Sequence, residues 1–268
     1  MTNIKHRKPA SLWKCFCLQY KVIHALILRE LHTRYGRENI GFLWVIGEPI
    51  LFCAGVTIVW TAIRPAREHG LAMTALVVTG YLPLTMWRHC LGRAIKAYEA
   101  NGSLLFHRQV TPFDIITART FLEIIGTIMA GIILHCGAIA FGYMKPPADY
   151  GLLFLGYFYQ SVFSFATALL AASLSEISDL FEKIIGVIGY LSIPLSGAFV
   201  MVSWLPLKYQ WILLLSPMAN NTEIIRAGQF GIGARIKYDL FYDTWSTLLL
   251  LLLGIMVTSN IRKHIEIV

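Results

Sequence analysis

The chain has 268 residues with a mean hydropathy of +0.61, and 56% of them are apolar while only 14% are charged. Soluble domains are roughly 45–50% apolar and about 25% charged, so this composition excludes an ordinary water-soluble globule. The formal net charge of +8 would favour nucleic-acid binding in a soluble chain, but in a membrane protein the charge first reports topology. The five cysteines form no CxxC pair and accompany no histidine cluster, so neither a disulfide framework nor a metal site is indicated.

The first 39 residues are predicted to form a cytoplasmic tail that contains an interfacial helix. Between Leu12 and Leu31, apolar residues such as Phe16 and Tyr20 recur every three or four positions, with basic residues elsewhere on the helix. This pattern is typical of an amphipathic helix that lies along a membrane surface. The tail has no uninterrupted apolar stretch, so the sequence indicates no cleaved signal peptide.

Six apolar segments are long enough to cross a bilayer, since a helix needs about 20 apolar residues to span the hydrocarbon layer. They are residues 40–63, 71–91, 121–143, 151–175, 184–202 and 244–261, and residues 40–263 are therefore predicted to form the transmembrane domain. With the N-terminus inside, most of the 23 Lys and Arg fall on the cytoplasmic side, as the positive-inside rule requires. Both chain ends are thus predicted to be cytoplasmic. A surface that attracts polyanions is the alternative explanation of the basic residues.

The stretch between residues 203 and 243 is predicted to form a pair of short helices on the outer side. Its apolar run from Trp211 to Leu215 is too short to span a bilayer, and Trp204 and Tyr209 are aromatic residues of the kind that anchor at membrane interfaces. We expect re-entrant or surface helices here. An ordinary extracellular loop is the alternative.

The sequence contains no recognisable catalytic or nucleotide-binding motif. No Gly-Lys dipeptide occurs, which excludes the P-loop that cradles phosphates in ATPases, and no close set of acids and histidines falls on one predicted face. Glu48, Glu123 and His135 are the ionisable residues expected near or within the spans. For each of them, a structural contact is preferred over ion coupling, and Glu123 is expected to pair with Arg119 one turn away.

Several motifs occur in a characteristic order along the chain. They are Arg34-Tyr-Gly-Arg-Glu-Asn-Ile-Gly-Phe-Leu-Trp44 with Glu48-Pro49, then Glu99-Ala-Asn-Gly-Ser-Leu-Leu-Phe-His-Arg108, then Ile116-Thr-Ala-Arg119, and finally Ser216-Pro-Met-Ala-Asn220 with Glu223 and Arg226. Together they resemble the permeases of type-2 ABC exporters, and within these the capsular-polysaccharide export permeases of the KpsM type. The resemblance runs from about Leu28 to the C-terminus.

The resemblance implies an all-α integral membrane protein of the ABC-2 exporter type that functions as a homodimer. It also implies two separate cytoplasmic ATP-binding subunits, which bind ATP and Mg²⁺, a periplasmic adaptor, and an outer-membrane export protein. The implied cargo is a lipid-linked polysaccharide leaving the cytoplasm, and no nucleic acid or cofactor is expected on this chain. Related permeases move O-antigen or teichoic acid, so these cargoes are alternatives. Alternatives of another class are an integral-membrane enzyme acting on lipid-linked sugars and an ion-coupled carrier.

The loop between the second and third predicted spans is the expected coupling segment, because force from an ATPase has to enter through cytoplasmic loops. Its proposed docking residues are Glu99, Leu104, Leu105, Phe106 and Arg108. A surface helix that merely joins two spans is the alternative. The acidic loop with Glu176, Asp179 and Glu182 is a second, weaker candidate.

The fourth predicted span is a candidate wall of the translocation path. Tyr159, Gln160 and Phe163 lie within about one helical turn of each other in an aromatic and polar stretch. Aromatic faces can hold sugars weakly at many places. Ordinary helix packing is the alternative interpretation of these three residues.

The approach to the first span is a candidate cytoplasmic gate or lipid contact. Arg34 and Arg37 could receive lipid phosphate or an acidic polymer end, and Trp44 and Glu48 follow on the first span. Simple attraction of the basic residues to anionic lipid headgroups is the alternative.

Overall fold

The computed structural model describes residues 12–35, 41–63, 67–105 and 109–261, and these residues are almost entirely helical. The described part contains ten α-helices: α1 (Leu12–Tyr35), α2 (Gly41–Ile63), α3 (Met73–Ala94), α4 (Gly102–Leu105), α5 (Pro112–Ala140), α6 (Tyr150–Ile177), α7 (Asp179–Leu195), α8 (Leu207–Leu214), α9 (Pro217–Phe230) and α10 (Leu240–Ile261). Two strands of two residues each, β1 (Arg67–Glu68) and β2 (Leu71–Ala72), pair antiparallel between α2 and α3.

Four helices are long and apolar enough to cross a membrane: Leu43–Ile63 within α2, and all of α5, α6 and α10. They coincide with four of the six predicted spans. The other two predicted spans coincide with α3 and α7. Basic residues occupy the C-terminal part of α3, from Arg88 to Arg93, and α7 has only 17 residues, fewer than the about 20 that a perpendicular span needs.

Two helices begin before the predicted spans that they contain, and helix capping explains where each begins. α5 begins at Pro112 rather than 121, because Thr111 and Asp114 form a capping box in which each side chain accepts a hydrogen bond from the other residue's backbone N–H. α7 begins at Asp179 rather than 184, because the Ser178 side chain caps it. Acidic residues in the first turn of α7 are favourable at a helix N-terminus. The predicted acidic loop is therefore mostly helix.

The core forms around α3 and α6, and small residues let the helices approach closely. A Cβ atom on Gly228 of α9 would lie 2.3 Å from the backbone N of Leu153 in α6. A Cβ atom on Gly156 of α6 would lie 2.6 Å from Ile225 Cγ1 in α9. Glycines at such crossings permit backbone contact between helices in membranes.

Two short helices, α8 and α9, lie where the sequence predicted a pair, so an ordinary loop is excluded there. α9 is not a surface helix, however, because every residue from Met218 to Gln229 is buried. It packs mainly on α6 and α3. α9 therefore belongs to the interior of the helix bundle.

α1 is a long helix that packs on α5 and α2. Its N-terminal half exposes large aromatic side chains, with Trp13 71%, Phe16 65% and Tyr20 65% accessible. Its C-terminal half buries Leu26 and Glu30. The helix is thus attached to the bundle by one face, while its exposed aromatic residues are of the kind that prefer a membrane interface.

Candidate functional site

The connection between α3 and α5 is anchored to the ends of α6 and α10 by buried side chains. Tyr98 is fully buried, with its hydroxyl 3.5 Å from Ser173 Oγ, which in turn lies 3.0 Å from Thr258 Oγ1. The backbone N–H of Lys96 donates to Ser175 Oγ over 3.2 Å. Residues from the far half of the chain therefore hold this segment in place.

A second set of contacts attaches the same segment to α1. The side chain of Asn101 is buried, donates to the carbonyl of Ala97 over 2.7 Å, and accepts a hydrogen bond from Arg29. Leu105 is 7% exposed and belongs to the main hydrophobic core. Within residues 95–105, Glu99, Ala100 and Ser103 are exposed.

The predicted docking residues thus have different environments. Glu99 is exposed and Leu104 is half-buried. Leu105 cannot enter a cleft of a partner in this conformation because it packs inside the protein's own core, so for this residue the prediction was wrong. Phe106 and Arg108 lie outside the described residues.

An ion pair joins the segment to the first turn of α7. Lys96 Nζ lies 3.3 Å from Glu182 Oε2 and 3.8 Å from Glu99 Oε2. The hydrogen bond to Glu182, followed by the charge of this carboxylate, raises the pKa of Lys96 above its ordinary value. The sequence presented Glu182 and the α3–α5 connection as parts of two separate docking candidates. In the structure they form one surface.

Polar contacts also attach α1 to α5, and sequence reasoning missed them. Arg119 Nε lies 3.0 Å from the buried carboxylate of Glu30, and Arg119 Nη1 donates to the carbonyl of Arg93 over 3.0 Å. Gln19 donates to Asp114 in the first turn of α5. Gln19 and Glu30 are about three helical turns apart and therefore share a face of α1. This shared polar face is the sequence feature that could have predicted the contacts between α1 and α5.

Ionisable side chains from α2, α3 and α5 lie next to one another. His89 lies between two carboxylates, with Nε2 3.6 Å from Glu48 Oε1 and Nδ1 3.6 Å from Glu123 Oε2. Arg93 Nε lies 3.3 Å from Glu123 Oε1. Glu123 is buried and paired, which is the structural role preferred from sequence, although these partners come from α3 and were not foreseen.

Only part of the predicted gate can be described. Trp44 is 49% exposed, and Glu48, one turn later on α2, has a 43% exposed side chain. Arg37 lies outside the described residues, as does the side chain of Arg34. A role for these four residues at the cytoplasmic mouth stays a prediction.

Two of the three predicted path residues are packed inside the chain. Gln160 has no exposed surface; its amide donates to the carbonyl of Pro83 over 2.9 Å and accepts from Asn221 Nδ2 over 3.0 Å. Phe163 is 7% exposed and lies in the main core. Neither can touch a sugar in this conformation, so helix packing is the better interpretation. Tyr159 is half-buried, with its hydroxyl 2.7 Å from Thr244 Oγ1.

Among the described residues, the most deeply buried ion pair lies in α9. Arg226 Nη1 is 3.1 Å from Glu223 Oε1, and the two side chains are 1% and 0% exposed. The guanidinium also donates to the carbonyls of Ala198 and Val200, while the backbone N–H of Val202 donates to Glu223. The pair therefore holds the irregular stretch after α7 by satisfying its backbone groups.

Comparison with known proteins identifies the family. The defining sequence pattern of the ABC-2 type transporters matches residues 21–230. The chain belongs to the ABC-2 type transporter family. The match includes the segment between α3 and α5 and the buried pair in α9, so both features lie within the part shared with this family.

Named relatives are similar to this ABC-2 chain over nearly its whole length. The capsule polysaccharide export inner-membrane protein CtrC of Neisseria meningitidis serogroup B is 38% identical over 98% of this chain and 99% of that protein. BexB of Haemophilus influenzae, which carries the same description, is 38% identical over 93% of this chain and 94% of its own. The polysialic acid transport protein KpsM of Escherichia coli is 23% identical over 90% and 93%.

Proposed function

We propose that this chain is the membrane permease subunit of an ATP-driven ABC exporter that moves lipid-linked capsular polysaccharide from the cytoplasm across the inner membrane. The observation that carries the proposal is its 38% identity to CtrC over 98% of this chain and 99% of that relative, whose name states capsule polysaccharide export at the inner membrane. BexB has the same description, which favours capsule over O-antigen or teichoic acid as the cargo.

The proposed assembly contains two copies of this chain and two cytoplasmic ATP-binding subunits. A periplasmic adaptor and an outer-membrane export protein complete the route. A separate ATPase is supported by the sequence, because a P-loop requires a Gly-Lys pair and the chain has none. ATP and Mg²⁺ accordingly belong to the partner, and the permease needs no cofactor of its own.

The proposed topology has six spans with both chain ends in the cytoplasm. The four long apolar helices supply four of them, and α3 and α7 are assigned as the other two. Residues 1–39, which include all of α1, form the cytoplasmic tail, and residues 40–263 form the transmembrane domain. The excess of basic residues on the proposed inner side supports this orientation.

The coupling surface of the proposal consists of Glu99, Ala100 and Ser103 on the α3–α5 connection, together with Glu182 of α7. These residues are at least partly exposed, whereas their neighbours Tyr98, Asn101 and Leu105 are buried. A docking surface held by buried anchors can transmit force, since the anchors connect it to α1, α6 and α10.

Reconstitution tests the overall function. Vesicles that contain both this chain and its ATP-binding subunit should move lipid-linked polysaccharide across the bilayer only when ATP is supplied. Vesicles with either component alone should be inactive. ATP hydrolysis or modification of a lipid-linked sugar by this chain alone would contradict the proposal.

A charge reversal tests the coupling surface. Glu99→Lys should lower export by at least about tenfold, equivalent to ~1.4 kcal/mol of coupling free energy, while membrane insertion is unchanged. Glu68→Lys is the matched control, because Glu68 lies in the β1–β2 hairpin at the opposite end of α3. Export by Glu99→Lys at the level of this control would remove the docking assignment.

A further inference from the structure

Arg88 of α3 is an exposed cation that contacts an exposed tyrosine. Its guanidinium carbon lies 6.0 Å from the ring centroid of Tyr190 in α7, and 70% of Tyr190 is accessible. This distance is within the about 6 Å range of a cation–π contact. Among the described residues, no carboxylate forms an ion pair with Arg88, and the nearby helices direct Glu48 and Glu123 to His89 instead. The positive charge of Arg88 is therefore uncompensated.

α3 and α7 lie side by side and run in opposite directions. Three neighbouring pairs join them: Lys96 with Glu182, Leu91 with Gly189, and Arg88 with Tyr190. The residue numbers fall along α3 as they rise along α7, so the two helices are antiparallel. Ile185 is the single buried residue among the 17 of α7, so most of this helix faces something other than its own chain.

Arg88 lies inside the hydrocarbon layer in the proposed six-span topology. Tyr190 follows Glu182 by eight residues of α7, so its contact with Arg88 is about 12 Å deeper in the membrane than the exposed pair of Lys96 and Glu182. Counted from the outer side, Arg88 follows Met73, the first residue of α3, by fifteen residues, or about 22 Å of a ~30 Å layer. Both estimates place the guanidinium about 8–12 Å inside the cytoplasmic boundary.

A cation at this depth requires water or protein around it. Arginine side chains near a helix end can extend to the membrane boundary, but the guanidinium of Arg88 stays at the level of Tyr190. Charged residues within spans almost always face a protein interior or a water-filled cavity, because hydrocarbon does not solvate them. Arg88 is exposed on its own chain, so the cavity that solvates it lies outside this chain.

We propose that Arg88, Tyr190 and Val187 line a water-filled translocation path between two copies of this chain, and that Arg88 attracts the carboxylate or phosphate groups of an acidic polysaccharide as it passes. The inference deepens the proposed function and rests on its arrangement of two copies with six spans each. A guanidinium binds either anionic group through two parallel hydrogen bonds. The exposed ring of Tyr190 offers an apolar face to the sugar beside that group.

Thiol labelling tests whether water reaches this face. The three cysteines that are not buried, Cys15, Cys17 and Cys136, are first replaced by serine in the full chain, which is assembled with its ATP-binding subunit in proteoliposomes. Val187→Cys then places a thiol one turn from Tyr190, at a position that is 56% exposed. The reagent is sulfonatoethyl methanethiosulfonate, an anion that reacts with thiols in water and not with thiols in lipid.

Phe121→Cys is the matched control for water access. Phe121 is 49% exposed on α5, a helix long and apolar enough to span the membrane, and lies about 13 Å after the start of that helix. We expect Val187→Cys to be labelled and Phe121→Cys to stay unlabelled. Labelling of Val187→Cys no faster than that of Phe121→Cys would overturn the water-filled path and leave Arg88 in contact with lipid headgroups.

A second reagent of opposite charge measures the effect of Arg88. Trimethylammonioethyl methanethiosulfonate is a cation of similar size. At low salt, a positive charge about 6–10 Å from a thiol in water speeds the anionic reagent and slows the cationic one by about twofold to threefold each. The ratio of the two rates at Val187→Cys should therefore fall at least about fourfold when Arg88→Gln is added, and should be kept by Arg88→Lys. An unchanged ratio with Arg88→Gln would overturn the attraction of anions.

Export connects this charge to the cargo. In the same proteoliposomes, ATP-driven export of an acidic lipid-linked polysaccharide should fall at least about fivefold in Arg88→Gln and recover in Arg88→Lys. Arg235→Gln, on an exposed arginine near the outer end of α10, is the matched control. Thermal unfolding checks that each variant is folded, and full export by folded Arg88→Gln would overturn the contact with cargo. Absence of export by the wild type, with labelling as expected, would refute the proposed function and not the water-filled face.

Discussion

The buried pair of Glu223 and Arg226 allows a quantitative prediction. Arg226→Met keeps a side chain of similar length but removes the charge, which leaves the Glu223 carboxylate 0% exposed and without its counter-ion. Breaking a buried pair in this way costs about 3–5 kcal/mol. The carbonyls of Ala198 and Val200 lose their donor as well, which adds to the loss.

Thermal unfolding of the purified protein in detergent measures this effect. We expect the midpoint to fall by roughly 10 °C, as a loss of this size produces in a chain of this length. Arg235→Met is the matched control, because Arg235 is exposed and the substitution is the same. The double variant Glu223→Gln with Arg226→Met should recover part of the loss, since no unpaired charge then stays buried. A midpoint for Arg226→Met equal to that of Arg235→Met would refute the reasoning.

Two further predictions concern packing and charge. Gly228→Ala places a Cβ atom 2.3 Å from the backbone N of Leu153 and should lower the free energy of unfolding by about 1–3 kcal/mol or more. The control Gly137→Ala, whose added Cβ atom has no atom within 4 Å, should be nearly neutral. Equal unfolding midpoints for the two variants would contradict this prediction. Because Glu182 raises the pKa of Lys96, the stabilising charge of Lys96 is present at neutral pH and is lost only as the pH rises above 10.5. The midpoint difference between the wild type and Lys96→Met should accordingly be constant between about pH 6 and 9, and its disappearance within that range would exclude the ion pair.

Hydropathy predicted the long helices well because burial in lipid needs only length and apolar composition. Four of the six predicted spans meet both conditions as helices, and the remaining two coincide with α3 and α7. Hydropathy does not indicate how far a helix extends beyond its apolar segment. The capping box of Thr111 and Asp114 lies in a polar stretch outside that segment, so hydropathy alone could not predict that α5 begins at Pro112.

The polar interior could not be predicted from local pattern. α9 contains Asn, Thr, Glu, Arg and Gln, a composition that indicates a surface helix, yet Arg226 and Glu223 satisfy each other and the backbone after α7. Gln160 similarly has a partner from a distant part of the chain, because its amide donates to the carbonyl of Pro83. Whether a polar helix is buried depends on partners that no window of neighbouring residues contains.

The junction of α6 and α7 is a single residue, Ser178, which ends one helix and caps the next. Such a short connection can act as a pivot, because the orientation of α7 relative to α6 depends on the backbone dihedral angles around Ser178. The 17 residues of α7 form a lever about 25 Å long, so a rotation of about 10° at the pivot would move its far tip by about 4 Å. Lys96 contacts Glu182 near this pivot, so under the proposed coupling role a small displacement of the α3–α5 connection would be amplified at the far tip of α7.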